Sequence, residues 1–184
     1  MSLIPASRPL QNRGLTVAMI KAAGVTDLVA VLAIRGYYLD SMGAKGRNDR
    51  GIYDDALIVV SPDCHVAFNG NTDPSVFRKH IATLQPGVWR YRSGIHGLSK
   101  PKAQQYSAFV QAGPVTVSRD GEPSETGYFG INIHRGGNSG TSSLGCQTVP
   151  PAQWISFRSL VNDQLKRHGQ KSFPYVLTVD ARVR

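Results

Sequence analysis

The sequence is short of cysteine: only Cys64 and Cys146 occur in 184 residues. Two cysteines do not make a disulfide framework, so the fold must rest on a packed core. Long apolar runs are also missing. The most apolar stretch, residues 15 to 36, is broken by Lys21, Asp27 and Arg35 and is no membrane span. The opening MSLIPASRPLQNRG holds no continuous apolar segment of signal-peptide length. These absences predict synthesis in the cytoplasm without a signal peptide, and no integral membrane association. Acidic residues are scarce, 12 against 21 Lys and Arg, which leaves a formal net charge of +9. Nucleic acid, anionic lipid or a bacterial wall would each suit that excess. The basic residues are dispersed, with loose clusters at 45–50, 100–102 and 166–171, and none is dense enough for a nucleic-acid arm. No nucleic-acid partner is expected.

Glycine and proline are plentiful, at 19 and 11 residues. So many turn formers favour a β-rich fold, and the length suits one domain with its own core. Residues 1–13 read as a flexible lead and 14–184 as a single domain. GLTVAMIKAAG (14–24) has helical spacing and closes on glycine. DLVAVLAIRGYYLD (27–40) reads as a buried strand with a bend at Gly36. SMGAKGRNDRG (41–51) is a polar loop, and ALIVVSPDCHVAFNG (56–70) a hairpin. A short helix is expected at 74–82 and a strand at 88–92. A strand pair is expected at 106–121, with Pro114 pushing its second member toward an edge. GYFGINIH (127–134) reads as one strand. PPAQWISFRSLVNDQLKRHG (150–169) is the strongest helix, with prolines in its first turn. Trp154, Phe157, Leu160, Val161 and Leu165 line one face of it. YVLTV (175–179) is a last strand. The sum is α+β, mainly β, with seven or eight strands and helices at both ends.

One stretch suggests chemistry: INIHRGGNSGTSSLGCQTV (131–149). Strand alternation puts Phe129, Ile131 and Ile133 on a core face and Gly130, Asn132 and His134 on the other. A loop of Gly, Ser, Thr and Asn then leads to Cys146. A cysteine nucleophile needs a partner to take its proton and donors for the oxyanion it creates. His134 is the candidate base. The amides of Gly145 and Cys146 are the candidate donors, glycine leaving the backbone open to substrate. Taken singly, a lone cysteine is usually a small buried apolar residue and a lone histidine usually structural. Asn132 is a candidate to hold the His134 tautomer or to bind a substrate amide. Arg135 suits a bidentate clamp on a carboxylate. His96, between two glycines, is a candidate for the same cleft, and Gln147 is a candidate donor. Cys64 reads as core and His65 as surface. His96, His134 and Cys146 are also zinc-ligand types, but no short HxH, HxxxH or CxxC spacing joins them, and no metal or other cofactor is expected.

The run from His134-Arg135-Gly136 to Ser143-Leu144-Gly145-Cys146 resembles the active-site signature of the L,D-transpeptidase (YkuD-type) family: a histidine near a glycine, a variable loop, then Ser-x-Gly-Cys. The resemblance implies a β-sandwich with a short N-terminal helix and a longer helix after the catalytic cysteine. It implies Cys146 as nucleophile attacking a peptidoglycan stem-peptide carbonyl, His134 as base, Gly145 in the oxyanion hole, and Ser143 both shaping the turn and binding substrate. The chain departs from that signature at Leu144, where the family often has histidine, and at Thr148, where it usually has arginine. Water as acyl acceptor gives cleavage, and an amine gives cross-linking. A small basic chain without a signal resembles a phage lysin or a delivered toxin, which implies a monomeric wall hydrolase acting after release or delivery. The alternatives are a cross-linking L,D-transpeptidase, a non-catalytic basic wall-binding module and a zinc amidase.

Overall fold

The computed structural model describes residues 2–45 and 47–183. Helix α1 (Arg13–Ala22) starts where the Asn12 side chain accepts a hydrogen bond from Leu15 N, 3.2 Å, and stops before Gly24 at φ +77°. The strands that follow are β1 (Ala30–Arg35), β2 (Asp55–Ser61), β3 (Cys64–Gly70), β4 (Ala82–Leu84) and β5 (Gly87–His96). Then come β6 (Tyr106–Gln111), β7 (Val115–Arg119), β8 (Glu122–Gly127), β9 (Ile133–Arg135) and β10 (Gln147–Val149). Helix α2 (Pro151–Arg167) and strand β11 (Phe173–Val179) complete the chain. No helix among the described residues is long and apolar enough to cross a membrane.

Eight strands form one sheet in the order β10-β9-β6-β5-β11-β1-β2-β3, and a second sheet runs β4-β7-β8. The fold is thus α+β and mainly β, as the turn-rich composition implied. β1 is buried on both faces and supplies two cores by alternation. Val31 and Ala33 join Leu57, Phe109, Phe157 and Tyr175 in the larger core, while Leu32 and Ile34 join Ile20, Ile58 and Val176 in the smaller. The larger core draws on α2 and the small sheet, and the smaller on α1. The outermost strands β3 and β10 meet. Asn71, just past β3, exchanges two backbone hydrogen bonds with Thr148, both 2.8 Å, so the large sheet curls back toward closure.

Several elements differ from expectation, each for a local reason. Residues 74–82 form no helix, because their polar groups bond across the fold: Ser75 N reaches Ser143 O, and Ser75 Oγ contacts both Thr141 Oγ1 and Ser143 N. The strand expected at 127–134 shrinks to β9. Gln111 Oε1 takes the amides of Phe129 and Ile131, at 3.1 and 2.8 Å, in place of a ladder. Pro114 precedes β7, which is central in its small sheet rather than an edge. The strand β8, EPSETG, was unforeseen, being polar and exposed along most of its length. The lead carries no regular element over residues 2–12, but it is tied down. Leu3 O accepts from Tyr53 N, 3.0 Å, and Ser7 O from Tyr38 Oη, 2.8 Å. His65, expected on the surface, is half-buried, with Nε2 3.0 Å from Thr16 Oγ1, while Cys64 is core as expected.

A buried acidic group anchors the segment leading from β3. Asp55 accepts the amides of Gly36 and Thr72, both at 2.6 Å. Arg35 pairs with Asp73 at 3.1 Å and donates to Thr72 O at 2.7 Å. Asp54 is buried beside them, and its Oδ1 has no partner among the described residues. Burial, and after it the neighbouring Asp55 charge, pushes Asp54 up to about 9. A carboxyl whose folded value is raised stabilises fully below its unfolded value near 4 and loses that contribution as pH rises through 9. Thermal unfolding of the wild type should therefore move to lower temperature between pH 5 and pH 9. Asp54→Asn should flatten that slope and melt higher than the wild type at pH 9.

Candidate active site

The parallel strands β9 and β10 pair Ile133 with Gln147 and His134 with Thr148. That register sets Asn132 against Cys146, and Gln147 N closes the pair by donating to Asn132 O, 2.8 Å. The loop between the strands is pinned from outside. Tyr53 Oη donates to Gly137 O at 2.8 Å, and a Cβ on Gly136 would lie 2.0 Å from that hydroxyl. The histidine and the cysteine thus share one end of the sheet, as the sequence reading required. Nδ or Nε atoms of His96 and His134 and the Cys146 sulfur all lie within 4.8 Å of one another.

His134 is almost fully buried and is oriented by its own chain neighbour. Its Nδ1 is 2.8 Å from Arg135 O and 3.1 Å from Tyr106 Oη. A carbonyl only accepts, so Nδ1 carries the proton and Nε2 keeps its lone pair. Burial, then the positive fields of His96 and Lys100, lowers His134 to about 4 against the opposing bond to Arg135 O. The Cys146 thiol points at Gly130 O, 3.4 Å, and its sulfur accepts from Asn132 N, also 3.4 Å. Burial pushes this thiol up to about 11, although the Asn132 amide and Lys100 favour the thiolate. The resting pair is therefore a neutral thiol and a neutral imidazole.

Four of the expected roles change. Gly145 N donates to Ser143 Oγ, 3.0 Å, so it is not free for an oxyanion. Gly145 serves conformation instead: φ is +129°, and a Cβ would lie 2.6 Å from Ala82 O. The Cys146 amide has no protein acceptor among the described residues and remains the candidate donor. Ser143 is buried and holds the turn, its hydroxyl donating to Cys146 O at 2.6 Å, so it shapes the turn rather than binding substrate. Gln147 is fully buried with both ends occupied, Nε2 on Gly145 O at 3.1 Å and Oε1 receiving Tyr175 Oη at 3.2 Å. Asn132 does not touch His134; its Nδ2 lies 3.0 Å from His96 Nδ1.

His96 joins the site as expected. Its ring lies 4.4 Å from that of His134, centroid to centroid, and faces a groove of about 750 Å³. Ile95, Leu98, Lys100, Tyr128 and Gly130 also line this groove, and none of its lining residues is acidic. Arg135 is exposed and lines a second pocket of about 490 Å³ beyond Tyr106. Tyr106 itself was not foreseen. It stands opposite His96 in the β5–β6 register, a pairing that no single segment of sequence displays.

A tetrahedral zinc with sulfur and nitrogen ligands spaces its donors about 3.4–3.6 Å apart. Modest closure would bring His96, His134 and Cys146 to that spacing, with the Arg135 carbonyl orienting one imidazole.

A thiol raised from 9 to about 11 has roughly a hundredfold less thiolate at neutral pH than an ordinary cysteine. Alkylation of Cys146 by iodoacetamide, read by peptide mass spectrometry, should be slow at pH 7 and climb steadily through pH 10.

Compared with known proteins, the chain matches no family model, no curated protein and no solved structure.

Proposed function

We propose that the protein is a cysteine-dependent peptidoglycan peptidase that cleaves a stem-peptide bond through an acyl-enzyme. The observation that carries this reading is the tautomer lock on His134. The Arg135 carbonyl holds Nδ1–H, which leaves Nε2 with the free lone pair on a ring that has a nitrogen within 4.8 Å of the Cys146 sulfur. The likeness of the 134–146 stretch to the L,D-transpeptidase signature supports it, as does a sheet-rich fold that carries the cysteine beside a groove. The family's β-sandwich is the fold this reading assigns. The groove has basic residues and no acidic lining, which suits a wall peptide rich in carboxylates.

In the reaction His134 Nε2 takes the Sγ proton as sulfur bonds to the carbonyl carbon, and the carbonyl electrons move onto oxygen. The Cys146 amide faces that oxygen. Collapse breaks the C–N bond, and the leaving amine takes the proton from His134. A water then gives a proton to His134 and attacks the thioester, which releases the acid and restores the thiol. An amine in place of water would give a cross-link instead, and a wall-binding module would use the charge alone.

Cys146→Ala should lower wall degradation by at least about a thousandfold, as loss of a nucleophile does elsewhere, with the melting temperature little changed. Mass spectrometry of muropeptides separates the outcomes: shortened stems mean cleavage, new dimers mean transfer, and no change in either sinks the enzymatic reading.

The three-donor cluster favours a second reading, a zinc amidase in which Cys146 is a ligand rather than a nucleophile. Metal analysis of protein purified without chelator, followed by assay with EDTA, decides between them. Stoichiometric zinc and chelator-sensitive activity would replace the first reading; chelator-resistant activity would exclude the second.

A further inference from the structure

Arg158 belongs to none of the roles above. It follows Trp154 by four positions on α2, so the two share a helix face. Trp154 is seated in the larger core, its ring 6.2 Å from Phe109, and this fixes the direction of the next turn. Arg158 thereby lines the second pocket together with Arg135. Its Nε is buried and has no hydrogen-bond partner among the described residues. Neither arginine side chain makes an ion pair or a hydrogen bond with any described residue, and no lining residue of this pocket is acidic. A buried guanidinium N–H left without an acceptor is costly, and such an orphan calls for a group supplied from outside.

Two residues of the pocket's lining contact His134 at Nδ1. Tyr106 forms part of its wall and reaches His134 Nδ1, and Arg135 supplies the carbonyl that orients the same ring. The larger groove lies on the other side, where Gly130 and Asn132 contact the sulfur. His96 and Tyr106, with ring centroids 5.2 Å apart, stand between the two. A peptide spanning the thiol would have one end in each.

We infer that Arg158 and Arg135 form a subsite for a carboxylate of the peptide substrate. The inference rests on the peptidase reading and deepens it. Guanidinium forks match a carboxylate in geometry as well as charge. The protein then acts on peptide ends with a free carboxylate in preference to the same ends capped as amides.

The test uses a synthetic stem tetrapeptide as the free acid and as its C-terminal amide. For the wild type, KM for the acid should lie roughly ten- to a hundredfold below that for the amide, the range of a charge-assisted contact. Arg158→Gln should collapse that ratio toward one, and Arg158→Lys, which keeps the charge but loses the fork, should restore part of it. Thermal unfolding of both variants checks the fold, and the lysine variant serves if the glutamine variant is unstable. Calorimetric binding to Cys146→Ala repeats the comparison without turnover. Preference for the acid there supports the subsite even if the wild type proves inactive, so the two readings fail separately. Equal binding of acid and amide, or a ratio unmoved by both Arg158→Gln and Arg135→Gln, overturns the inference. Inorganic phosphate binding more tightly than the acid peptide overturns the carboxylate assignment.

Discussion

The two backbone hydrogen bonds between Asn71 and Thr148 are the constraint on which the site depends. β10 is only three residues long and would otherwise be an edge with one neighbour. Held on one side by β9 and on the other by Asn71, it places Cys146 at a fixed depth. Asn71 is held in turn, because the next residue, Thr72, is bonded by Asp55 and by Arg35. The buried charges beside β3 thus act on the thiol indirectly, through a chain of backbone positions. Both oxygens of Asp55 are bonded, which specifies one arrangement of this segment, while Asp54 Oδ1 and the Asn71 side chain stay without partners among the described residues.

Burial sets the chemistry of the pair. Both groups are driven toward their neutral forms, the thiol up and the imidazole down. A hydrogen bond from Asn132 N to the sulfur opposes burial and marks where a thiolate would be stabilised once formed. The rings of Tyr106 and His96 lie beside that of His134, at centroid distances of 5.9 and 4.4 Å.

Periodicity made the large elements legible. The apolar runs of β1, β2 and β11 and the apolar face of α2 are strong local signals, and the structure carries them with boundaries shifted by a few residues. Ile131 and Ile133 were placed in the core, and Asn132 and His134 on the opposite side, from alternation alone. The failures came where side chains stand in for backbone partners. Gln111 replaces a strand ladder at Phe129 and Ile131, and Ser75 replaces a helix at 74–82. Local composition carries no trace of such bonds. Ser143, Gln147 and Gly145 were read as facing substrate, yet Ser143 Oγ is engaged by Cys146 O and the Gly145 amide, and Gln147 by Tyr175. Tyr106 and Arg158 escaped notice because their meaning depends on a register and a helix direction set by the whole fold.

The order of strands has a consequence for how the molecule comes into being. β11, which follows every other described strand in the chain, lies inside the large sheet between β5 and β1. During synthesis the two halves of that sheet wait for a strip of backbone that leaves the ribosome after both of them. Pairings across such sequence distances are slow to nucleate. His134 and Cys146 lie in one half of that sheet and Arg35 and Asp55 in the other, so the two groups are joined through its middle only once this last strip is laid in.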